Sequence, residues 1–158
     1  PDALDTARRY LRSRNLLVTD WAYDLAEQAW PDAVTYYGDD SVFDDAQKGD
    51  IGTVIARVTD PGLAEALGSE QLVLEYNFSN WAVITDVGPD TTVWLRGDVR
   101  AWDGTAWQDL EDVPLLVSFE PEGKGRVVVM TFHANAQPAA VTDTLLTSLL
   151  GPLPTVKE

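Results

Sequence analysis

Two short runs constrain this chain more than any other feature: Leu16-Leu17-Val18-Thr19-Asp20-Trp21 and Val127-Val128-Val129-Met130-Thr131-Phe132-His133. Each begins as an unbroken apolar strand, the pattern of a strand buried on both faces. Each then meets polar residues where a helix-bearing turn begins. In an open parallel sheet, the lip beyond such strand ends is where ligands and catalytic groups gather. The second lip carries the only histidine of the chain, and neither carries a cysteine, because the chain has none.

The intervening pattern can be read in order. Residues 2–14 have a helical period, with Leu4, Ala7 and Leu11 on one stripe and arginines on the other face. Thr19 or Asp20 is placed to cap a second helix reaching Trp30, with Trp21, Leu25 and Ala29 turned inward. Residues 34–37 and 53–58 read as strands, and Asp60-Pro61-Gly62 opens a short helix that stops at Gly68. From Gln71 to Phe119 the pattern is alternating and turn-rich, and Trp102-Asp103-Gly104-Thr105-Ala106-Trp107 is a hairpin signal. Pro138 starts a last helix with Leu145 and Leu149 inward. Helices at both ends around a strand-rich middle predict an α/β domain over 1–151, with a tail over 152–158 and an antiparallel, strand-rich extension. An opening helix with no strand before it predicts that the first strands of such a sheet are missing.

Composition narrows the function classes. A chain of 158 residues is long enough to build one core. With 26 acidic and 11 basic residues the net charge is −15, which excludes a phosphate-binding footprint and so a nucleic-acid partner. No run approaches the roughly 20 apolar residues that span a bilayer. Zero cysteines remove disulfides, zinc–thiolate sites and thiol nucleophiles together.

The two junctions also carry a resemblance. Thr19-Asp20-Trp21-Ala22-Tyr23-Asp24, with Ala29-Trp30-Pro31 after it, resembles the strand–helix junction of amidotransferase-like domains in exported bacterial proteins. Gly123-Lys124-Gly125-Arg126-Val127-Val128, continuing through Thr131-Phe132-His133-Ala134-Asn135-Ala136-Gln137, resembles their closing strand. Both are similar to class I glutamine amidotransferases. That resemblance implies a flavodoxin-like, mostly parallel sheet flanked by helices, and a location that is exported, periplasmic or at the cell surface. In the active enzymes it implies cysteine at the first junction and, at the second, histidine followed two residues later by glutamate. Here Thr19, Asp20 and Trp21 stand at the first junction, and Asn135 stands two residues after His133. An acyl-enzyme step has no nucleophile without the thiolate. The implied reading is a catalytically degenerate domain, not an enzyme, that needs no cofactor. It would serve as a structural or interaction module, partnered by the rest of the same polypeptide or by another protein.

Four residue groups compete with that reading. Asp20 and His133 would form a carboxylate–imidazole dyad, able to act as a base or as two metal ligands, if their strands are neighbours. A hydrogen-bonded structural histidine explains His133 without chemistry. Trp102 and Trp107 with Asp103 suit a glycan-stacking platform, whereas cross-strand pairing in a hairpin explains the same rings. Asp39, Asp40, Asp44 and Asp45 supply calcium-type oxygen ligands but lack the spacing that wraps one ion, as a solvated loop would. Arg96-Gly97-Asp98 is an adhesive tripeptide by letters alone.

Overall fold

The longest strands arise where the sequence carries its Asp-Gly turn. In the computed structural model, which describes residues 3–11, 14–38, 45–121 and 125–151, that turn joins two arms of an antiparallel hairpin with Trp102 opposite Trp107. Gly104 supplies the positive φ, 96°, that the turn requires. The helices are α1 (Ala3–Leu11), α2 (Tyr23–Ala29), α3 (Pro61–Leu67) and α4 (Ala139–Leu150). The strands are β1 (Leu16–Thr19), β2 (Val34–Tyr36), β3 (Gly52–Val58), β4 (Gln71–Tyr76), β5 (Ile84–Val87), β6 (Thr92–Trp102), β7 (Trp107–Phe119) and β8 (Val127–Met130). Short 3-10 turns, Asp20–Ala22 and Ala134–Ala136, follow β1 and β8.

Six strands form one curled sheet in the order β1-β8-β7-β6-β3-β4, and β2 pairs with β5 in a separate ribbon. Only β1 and β8 run parallel, with Leu16 opposite Val127 and Thr19 opposite Met130. Every other pairing in the described residues is antiparallel. This corrects the flavodoxin-like expectation. The alternating middle of the chain is the body of the sheet and not an extension of it, because tight turns join β6 to β7 and return the chain antiparallel. The resemblance to class I glutamine amidotransferases fails on the same ground.

Both faces of the sheet carry a buried cluster. On one, α3 and α4 cover β3, β4, β6, β7 and β8, with Ala56, Leu74, Leu95, Leu115, Val128, Met130, Leu145 and Leu149 among the buried side chains. On the other, α1, α2 and the β2–β5 ribbon cover β1, β8 and β7, around Leu11, Val18, Tyr23, Ile84, Val117, Val127 and Val129. The second cover stops short. Beyond it Ile55 of β3 and Val73 of β4, which face each other across the strands, are 64% and 60% exposed.

Local signals formed the small elements. Asp60 caps α3 by accepting from the Leu63 amide at 2.7 Å, Pro61 occupies its first turn, and Gly68 ends it at φ 69°. The inward face of α2 matches expectation at Ala29, which is buried, and departs from it elsewhere: Tyr23 and Ala26 are buried, while Trp21 is 43% exposed. The 3-10 turn before α2 explains the shift, since its tighter winding rotates the following face. The predicted tail over 152–158 lies outside the described residues.

One close approach defines the packing around the largest buried ring. A β-carbon at Gly49 would overlap the Trp81 indole, whose Nε1 donates to the Asp50 carbonyl at 3.2 Å. Gly49→Ala is expected to destabilise the protein by about 1–3 kcal/mol through overpacking, measured as a lowered denaturant midpoint with unchanged slope.

Candidate functional site

Two lips emerge side by side, because β1 and β8 are parallel neighbours ending at Thr19 and Met130. Asp20 opens the 3-10 turn directly after β1, and His133 stands just before the turn that follows β8. The side chain of Asp20 lies outside the described residues. His133 is half-buried, and its Nδ1 lies 2.8 Å from the Asn77 side-chain oxygen. That oxygen can only accept, so Nδ1 carries the proton. The Phe78 ring meets the imidazole edge-on at 5.2 Å.

His133 belongs to a larger set of contacts that the sequence did not reveal. The segment from Thr131 to Gln137 is stitched to the end of β4. Thr131 donates its hydroxyl hydrogen to the Leu115 carbonyl at 3.0 Å, so the Tyr76 hydroxyl donates to Thr131 at 2.8 Å. Gln137, 93% buried, acts as a peptide-like clip. Its Oε1 accepts from the Glu75 amide at 3.0 Å, and its Nε2 donates to the Glu75 carbonyl at 2.8 Å and the His133 carbonyl at 3.0 Å. Burial pushes the Tyr76 hydroxyl well above its ordinary titration range, and its hydrogen bond to Thr131 opposes this in part. The lip of β8 is therefore a brace holding the far edge of the sheet.

The other candidates are also committed to structure. Trp102 and Trp107 are half-buried and cross edge-to-face at 68°, with centroids 5.5 Å apart, so they offer no flat stacking surface. Asp103 spends its carboxylate on its own turn, accepting from the amides of Ala106 and Thr105, the Thr105 hydroxyl and the Gln108 amide. Those bonds, led by the one from Ala106, hold its carboxyl well below the usual range. Asp39, Asp40 and Asp44 lie outside the described residues. Among the described residues, no group of three His, Cys, Asp or Glu side chains could hold a metal ion. Arg96 and Asp98 both bind Asp112, through its carbonyl at 2.7 Å and its amide at 2.8 Å, so the adhesive tripeptide is tied into the sheet.

A cleft of about 360 Å³ opens where β3 bows away from β6, beyond the Arg57–Arg96 pairing. Asp50, Asp98, Asp109 and Glu111 line it with Arg100. Arg100 pairs with Asp50 at 3.0 Å and Asp109 at 3.4 Å, and stacks over Trp107 at 5.7 Å. Sequence reasoning missed this cleft. It also missed Glu27, a buried acid whose charge, after burial itself, raises the nearby Tyr36 hydroxyl.

No protein-family model matches the chain, and no curated protein matches it. Among solved structures it is similar to "mmIFT52 N-terminal domain", with a TM-score of 0.58 and 15% identity over 97% of this chain and 72% of that one. At that identity the likeness is one of fold. Together with the mixed, mostly antiparallel sheet, it replaces the amidotransferase assignment. No helix among the described residues is long and apolar enough to cross a membrane.

Two outcomes test this account. Tyr76→Phe is expected to cost about 1 kcal/mol, the net worth of one buried hydrogen bond, in denaturant unfolding. Because the folded Asp103 carboxyl titrates below its unfolded value, its contribution is complete above the unfolded pKa and is lost as pH falls through the folded one. The Thr105 and Ala106 amides should therefore stay protected from exchange at pH 5 and lose protection in strong acid, and Asp103→Ala should remove that pH dependence.

Proposed function

We propose that this chain is a non-catalytic protein-interaction module of a larger protein. The observation that supports it is the uncovered half of the second sheet face. Ile55 and Val73 sit there as an exposed cross-strand pair, and Ile51 and Phe78, 61% and 58% exposed, flank the same edge hairpin. Exposed large apolar side chains gathered at one place mark an interaction site more often than a solvated surface. The groups with chemical potential support the same reading: His133, Asp103, Arg96 and Asp98 each hold a structural hydrogen bond. The alternatives, a glycan platform or a metal-assisted hydrolase, lack a comparable observation, since the indoles are crossed and His133 is engaged by Asn77.

The test replaces the apolar pair. Ile55→Asp combined with Val73→Asp should change stability by no more than about 1 kcal/mol, two surface substitutions at about 0.5 each. It should abolish cross-linking to a partner in the source cells. Retained cross-linking would remove the face from the argument. Amide or ester hydrolysis by the purified protein that His133→Ala abolishes would overturn the non-catalytic reading.

A further inference from the structure

The edge of β4 is closed at both ends and open in the middle. Val58 donates to the Glu70 carbonyl, which sets the ladder between β3 and β4 so that Leu72, Leu74 and Tyr76 bond inward to β3. The amides and carbonyls of Gln71, Val73 and Glu75 consequently point away from the sheet. Ser69 satisfies Gln71, its hydroxyl donating to the carbonyl at 2.6 Å and accepting from the amide at 3.1 Å. Gln137 satisfies Glu75 in the same two-handed way. Between them, among the described residues, the outward amide and carbonyl of Val73 meet no partner, and β4 is the last strand of the sheet. An exposed edge with unpaired backbone groups templates a further strand.

We propose that this edge receives an extended segment of a partner protein, apolar opposite Val73 and bearing lysine or arginine opposite Glu75. The proposal rests on the interaction-module reading above and names its partner chemistry. Charge selects the occupant. Glu65, Glu70 and Glu75 are exposed around β4 and the whole chain carries −15, so a second copy would bring like charge to the same place while a basic strand brings the opposite. The Gln137 side chain holds the position that an incoming peptide group would take at Glu75. Exchanging one amide for another there keeps both Glu75 bonds, and the displaced clip gives up its bond to the His133 carbonyl.

The experiment is an amide-resolved NMR titration of the full chain with an eight-residue peptide in which lysine and valine take turns at every second position with threonine between them, so that both lie on one strand face, against a control with glutamate in place of each lysine. The basic peptide should shift Val73 and its neighbours and slow exchange of the Val73 amide, and the acidic one should not. Val73→Pro removes only the outward amide and is tolerated on an edge strand. It should weaken binding at least tenfold, on the order of losing the central hydrogen-bonded rung. Gln137→Ala frees the Glu75 rung and should strengthen binding about fivefold. Equal binding of both peptides, no binding of the basic one, or binding indifferent to Val73→Pro would each overturn the proposal. So would protection of Val73 in a peptide-free dimer, which would assign the edge to a second copy. Loss of cross-linking on Ile55→Asp alone reports on the apolar face without altering the β4 edge, so the peptide titration can fail while the interaction module stands.

Discussion

The structure depends on β8 being apolar on both sides. Val127 and Val129 enter one core while Val128 and Met130 enter the other, so a strand of four residues is the wall shared by two hydrophobic clusters. Strict alternation of side chains makes this possible, and a shift by one residue would exchange the two sets. Burial of β8 also requires neighbours on both edges. The chain supplies β1 on one side and β7 on the other, from opposite directions. Close backbone contact secures the arrangement: a β-carbon at Gly125 would overlap the carbonyls of Leu11 and Arg14, where the end of α1 passes the approach to β8.

Much of the local structure was legible in the sequence, and the sheet was not. Asp60, Pro61 and Gly68 delimited α3 because capping and left-handed termination are decided by one residue each. The Asp-Gly hairpin was legible for the same reason. The two apolar junctions correctly described strands buried on both faces, but such a pattern does not say how many parallel neighbours a strand has. Here it has one parallel pair, and the direction of the remaining strands was decided by turns whose long-range outcome no local signal carries. The face of α2 was partly misassigned because a turn of tighter helix precedes it, and Trp21 came to the surface.

The candidate site was legible in position and illegible in role. His133 stands at a strand end beside another strand end, where chemistry often gathers, and the same location in this fold serves as a brace. Thr131, His133 and Gln137 reach Tyr76, Asn77 and Glu75, residues more than fifty positions earlier. No spacing within either segment announces that meeting. Gln137 in particular reads as an ordinary polar residue before a helix, whereas its amide completes the hydrogen bonding of an edge strand.

The parallel pairing of Leu16 with Val127 has a consequence for biosynthesis. A loop of that length closes late, since the entropy of joining its ends is charged before any contact is gained. When a ribosome has made the chain as far as Phe119, Val18 and Leu115 still lack the strand that separates their two interiors. The nascent chain thus remains without its dividing wall until β8 leaves the exit tunnel, and its earlier strands need shielding from one another until then.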